Sequence, residues 1–283
     1  MTQVMACIDG SLSSLSVCDY ATWASKQMKA PLTLLHVLDQ GKYPVTGDLS
    51  GNIGLGSREH LLAELTDFDA KRAKLALEQG QYLLETARKR AISFGADHLE
   101  IKQRHGHFVD SLVDLQDDTR LLVIGRVGES SSKAGHQVGS HLETTVRTIH
   151  RPILIAASTF KEPERVLLAF DGSATGYKTV QILAESSLCQ NLPIHLVMAG
   201  AESNDSLAHL QKAKAILVAA GFDVNAEIRQ GEVEPTLHAY QTEHRIDLLV
   251  MGAYGHSRIR EFFVGSTTTT MLRTVTMPLL LLR

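Results

Sequence analysis

What this chain lacks narrows its function before any motif is considered. Its cysteines number three, Cys7, Cys18 and Cys189, an odd count with no Cys-x-x-Cys pair, so neither a disulfide framework nor a zinc ribbon is encoded. Cys7 falls in an apolar run with strand character and Cys18 on the first helical segment, where each reads as a small core residue of a protein kept in a reducing cytoplasm. There is no basic excess: the formal charge of −3 leaves no electrostatic footprint for the phosphate backbone of DNA or RNA. There is no long hydrophobic run either. The N-terminus passes straight into a strand without a basic, apolar leader, and PLLLL near the C-terminus is far too short for a membrane span. Catalytic signatures are missing too, among them HExxH, a Ser/His/Asp order and the Gly-Lys-Ser/Thr of a P-loop.

What is present is a repeat. LLVIG (121–125) answers LLVMG (248–252), and VRTIHRPILI (146–155) answers LRTVTMPLLL (272–281), at offsets of 127 and 126. VMACIDGS (4–11) answers VLLAFDGS (166–173) at an offset of 162, which Pro31 and Pro193 keep; Gly95 and Gly221 return to 126. The difference between 162 and 126 is an insertion of 36 residues in the first half, between about 38 and 75. It begins as a Gly- and Ser-rich loop and passes into a charged helix over about 58–91. A length of 283 residues accommodates two domains of ordinary size, 1–157 and 163–283, with 44% hydrophobic residues to fill two cores.

The second half reads as alternating strands and helices. Strands are expected at 165–170, 193–199, 222–230, 247–251 and 278–282, and helices at 174–190, 206–220, 232–245 and 266–275. Such alternation means α/β architecture, a mostly parallel sheet with helices on both faces and ligands outside the strands' carboxyl ends. One loop fits that place. Strand 247–251 runs into Gly252-x-x-Gly255, nine residues follow, and Gly265-Ser266 opens the next helix. Glycine lets a ligand approach the backbone, and a helix N-terminus offers unpaired N–H groups, so this is a phosphate cradle in outline. The first half repeats it as Gly125, Gly128, Gly139 and Ser140, with ten residues in the gap.

Each signal has a plainer reading. Asp-Gly after a strand is a common turn, and Ser266-Thr267 makes a good helix cap with or without a phosphate. The thirteen histidines include His105 with His107 and His136 with His141, but no carboxylate or cysteine completes a metal spacing, so no metal site is expected. His36, at the end of LTLLH, reads as a polar strand-end residue facing the first half's pocket, where the second half has Met198.

In these motifs the chain resembles the universal stress proteins in their tandem, two-domain form. The resemblance covers nearly the whole length. It rests on the strand-ending Asp9 and Asp171, the aliphatic strand entering Gly-x-x-Gly, the closing Gly-Ser and the Pro-led last strand. It implies two Rossmann-like domains of the adenine-nucleotide alpha hydrolase-like class, each a five-stranded mostly parallel sheet with helices on both faces. The ATP-binding form of the family carries G-2x-G-9x-G-[S/T], which residues 252–266 match.

Carried over by position, Asp171 would face the ribose or adenine, and the backbone around Val197 and Met198 would read the adenine edge. Gly252 would admit the sugar and phosphates; Gly255, Gly265, Ser266 and Thr267 would bind the phosphates. Asp9, Gly125, Gly128, Gly139 and Ser140 are the weaker first-half counterparts. The implied ligand is ATP, or ADP or AMP, with or without Mg2+, and the implied role is a stress-response regulator whose nucleotide state modulates its interactions. A slow ATPase and a dimeric scaffold or ligand-binding module without ATP are the alternatives. The Ser-Gly-Gly-x-Asp-Ser loop of the related ATP-pyrophosphatases is replaced by DGSATG. In this family the last strands pair antiparallel, and fusion of two copies would make a pseudo-dimer within one chain, with a homodimer of chains also open. The regulatory partner is not legible, and neither nucleic acid nor a membrane is expected as one.

Overall fold

The computed structural model describes residues 2–38, 55–127, 141–253 and 266–283. The first half supplies strands β1 (Gln3–Cys7), β2 (Leu32–Leu38), β3 (Leu99–His105), β4 (Thr119–Gly125) and β5 (Ile153–Ala156). Its helices are α1 (Ser14–Met28), α2 (Leu55–Ser93), α3 (Phe108–Leu115) and α4 (Leu142–Thr148). The second half supplies β6 (Val166–Ala169), β7 (Ile194–Ala199), β8 (Val224–Arg229), β9 (Leu248–Gly252) and β10 (Leu279–Leu282). Its helices are α5 (Ala174–Glu185), α6 (Asn204–Ala219), α7 (Val233–His244) and α8 (Ser266–Thr274).

All ten strands lie in one sheet, in the order β3-β2-β1-β4-β5-β10-β9-β6-β7-β8. Pairing is parallel within each half and antiparallel at the join, where β5 meets β10. Leu154 pairs with Leu280, its own counterpart at the offset of 126, so the local twofold relation of the halves passes through this leucine pair. Both final strands are wholly buried, which leaves neither as a bare edge. The outer edges are β3 and β8, whose charged residues discourage further pairing.

The strands around the join, β5, β10, β9 and β6, carry no polar side chain because helices cover both faces. On one face Val4 and Ala6 of β1 belong to a core layer that also takes in α1, α2, α5 and α6; on the other Met5 and Cys7 belong to a layer that takes in α3, α4, α7 and α8. Each of these layers is continuous across the two halves. The three thiols are free and buried, and burial pushes those of Cys18 and Cys189 up to about 12.

Local chemistry explains where the elements start and stop. A capping box between Ser203 and Ser206 starts α6 at Asn204, two residues before the expected position. Gly95 and Gly221, at φ +89° and +90°, end α2 and α6 alike. The helix expected over 174–190 stops at Glu185: Ser186 turns extended and its hydroxyl accepts from Leu188 N at 3.2 Å, offering the backbone an alternative to the next helical turn. The charged helix expected over about 58–91 spans 55–93; the glycine-rich start of the insertion lies outside the described residues. Arg90 holds it to α1 through a bidentate pair with the buried Asp19, both bonds 2.6 Å.

Candidate functional site

In each half the strand order reverses between the first and fourth strands, β1/β4 and β6/β9, and the carboxyl ends there form the crevice where α/β sheets bind ligands. Asp9 and Gly125 stand at the first crevice, Asp171 and Gly252 at the second. Gly128, Gly139, Ser140, Gly255 and Gly265 lie outside the described residues, whereas Ser266 and Thr267 open α8. By the 126 offset Ser266 corresponds to Ser140, yet α4 starts two residues beyond that point, at Leu142.

The two aspartates differ in their hydrogen bonds. Both close a turn, with Oδ1 accepting at 3.0 Å from the backbone N–H two residues on, Ser11 for Asp9 and Ser173 for Asp171. Asp9 also accepts from the Ser14 hydroxyl at 3.0 Å. The residue corresponding to Ser14 is Gly176, where an added Cβ would meet Asp171 Oδ1 at 2.6 Å. No side chain therefore reaches the second carboxylate from that helix position. Asp171 is exposed and Asp9 half-buried.

The glycines ending β4 and β9 have a packing reason that motif reading does not supply. A Cβ on Gly125 would lie 2.7 Å from Ser13 Oγ, and one on Gly252 2.7 Å from Thr179 Oγ1 and 3.2 Å from Thr175 Cγ2. The helix after the first strand thus presses on the fourth strand's end in both halves, and glycine is needed there with or without a ligand. Val197 and Met198 are buried at the end of β7, and the Val197 carbonyl already accepts from Phe170 N at 2.9 Å.

His36 occupies the Met198 position and is buried, its Nδ1 2.6 Å from the Ile8 carbonyl. A Cβ on Gly80 of α2 would come within 2.7 Å of its ring. His36 is therefore a wedge between strand end and helix rather than a residue open to the crevice. His105 ends β3, His107 and His141 precede α3 and α4, and His136 lies outside the described residues.

The model of the universal stress protein family matches residues 1–157 and 197–283. A universal stress protein of Synechocystis sp. is 36% identical over the full length of both chains. The chain belongs to the universal stress protein family. Among solved structures, a universal stress protein of Archaeoglobus fulgidus superposes with a TM-score of 0.72 at 18% identity, covering 99% of this chain and 98% of that one. A functionally unknown protein of Pseudomonas aeruginosa gives 0.62 at 14% identity, covering 100% and 92%. At these identities the likeness is one of fold.

In this universal stress protein the halves are also tied by contacts that sequence reasoning missed. Arg126, the residue after Gly125, donates to the Leu272 carbonyl at 2.9 Å and to the Met277 carbonyl at 3.3 Å, around the carboxyl end of α8. Arg283 donates to the carbonyls of Ile149 and of Arg147, the latter at 2.9 Å, around the carboxyl end of α4. Arg273 pairs with Glu143 at 2.8 Å. Burial holds the Arg126 guanidinium below its ordinary pKa. The only visible signal was Arg126 standing where the second copy has Ala253.

In the second half a polar cluster lies along β7, β8 and α7. His195 Nδ1 is 2.9 Å from Tyr240 Oη, which also accepts from Asn225 at 3.4 Å, while His244 stacks on the Tyr240 ring at 4.1 Å. No helix of the described residues is long and apolar enough to cross a membrane.

Proposed function

We propose that this universal stress protein is a regulator that binds ATP, or ADP or AMP, in the second half, and that the bound nucleotide modulates its interactions. Asp171 and Gly252 stand together at the switch point, and α8 follows with Ser266 and Thr267 at the end that offers unpaired N–H groups and the positive pole of the helix dipole. The observation that carries the choice of half is the contrast between the aspartates. Asp9 is engaged by Ser14, whereas Asp171 is exposed and, opposite Gly176, meets no such hydroxyl; a carboxylate in that state is free to accept from sugar hydroxyls. Binding is proposed rather than turnover, in a cytoplasmic setting where the three buried thiols stay reduced.

Calorimetric titration with ATP tests the reading. One tight site per chain is expected. Asp171→Asn should weaken it about 10- to 100-fold, the worth of a hydrogen bond to a charged group, while Asp9→Asn leaves it unchanged. Two equal sites, or an affinity indifferent to Asp171, would defeat the proposal.

A further inference from the structure

Helix α2 is 39 residues long, whereas α6, its counterpart at the offset of 126, is 16. Residues 78–93 correspond to α6, so 55–77 carry the helix about 35 Å further at 1.5 Å per residue. Ala76, Gly80, Leu84, Ala87 and Ala91 form its buried face. On another face Phe68, Leu75 and Tyr82 recur every seven residues and are 64%, 65% and 73% exposed. Single exposed apolar residues need no explanation, but three aligned along one helix face do, because they draw a narrow stripe along which a second helix can lie.

We propose that this stripe is a self-association surface, covered by α2 of a second copy of the chain lying antiparallel across a twofold axis near residue 74. A narrow stripe running along a helix suits a helical partner, and the charges beside the stripe select the copy. Lys71 and Glu78, both exposed, flank it on the same side one heptad apart. In the antiparallel arrangement Phe68 of each copy falls between Leu75 and Tyr82 of the other. Lys71 then lies opposite Glu78 of the other copy, twice by symmetry. A parallel pair would set Lys71 and Glu78 against Ala76 and Leu83 and forfeit both ion pairs. The present partner of Lys71 is Asp67, 3.2 Å away within the same helix and as exposed as Lys71 itself, an interaction too weak to hold it back. The contact spans under five helical turns and is smaller than a standard interface, so the dimer is a weak, reversible one. It requires no nucleotide.

Sedimentation equilibrium on the full chain between about 1 and 200 μM tests the proposal and should show a monomer–dimer equilibrium within that range. Leu75→Glu, at an exposed position, should shift dissociation at least tenfold without changing the far-ultraviolet circular dichroism. Lys71→Glu should weaken the dimer, and the double exchange Lys71→Glu with Glu78→Lys should restore it. A chain that stays monomeric at the highest concentration overturns the proposal. So does a dimer indifferent to Leu75→Glu, or one that the double exchange fails to restore. Binding of a monomeric chain to anionic vesicles would assign the stripe to a lipid surface instead and equally overturn it.

Discussion

His195 shows how a single side chain sets a pH limit. Burial lowers its pKa below the ordinary 6.5, helped by the charges of His244 and Arg165 and opposed by Asp223 and Glu227. The unfolded chain then binds more protons than the folded one as pH drops through 6.5, so this contribution is complete above that pH and is lost on acidification. The melting temperature should fall between pH 8 and pH 5, and His195→Gln should flatten that fall. A variant with the same slope as the parent would remove His195 from the account.

Among the elements, those with strong apolar patterning were legible: the second half's strands, the last helix and the glycine-ended α2 and α6 follow the sequence within a few residues. What escaped the reading was chemistry between neighbours. The early stop of α5 depends on the Ser186 hydroxyl bonding locally, and the reason for Gly252 lies in Thr175 and Thr179 of a helix more than seventy residues away. The crevice positions of Asp171 and Gly252 were readable because motif and strand end coincide, but the asymmetry of the aspartates needed Ser14 and Gly176 in space. The join can be tested at the element scale. Leu280 sits between Leu154 and Val250, so Leu280→Pro removes a ladder N–H and forces a ring into a doubly paired strand. Proteolysis should then open the chain within 157–165, a stretch that Tyr20 and Asp247 pin in the parent through Lys161. Unchanged resistance to cleavage and an unchanged hydrodynamic radius would deny the join its structural role.

For the whole molecule, continuity rests on the β5–β10 ladder and on arginines that reach from one half to the other. Arg126→Met should cost about 1–3 kcal/mol of stability, because it leaves the carbonyls of Leu272 and Met277 short of a donor in a partly closed site. The urea midpoint should fall with the denaturant slope unchanged; an unaffected midpoint would make the contact incidental.

The pairing of Leu154 with Leu280 has a genetic consequence. In a symmetric assembly of identical chains every substitution is expressed twice and meets its own image at the axis. Here the two sides of the axis are separate codons, so a change can be tried on one side while the other preserves the scaffold. The contrasts between Ser14 and Gly176, His36 and Met198, and Arg126 and Ala253 are of that one-sided kind. Covalent fusion turns a duplicated fold into two surfaces that selection can specialise independently.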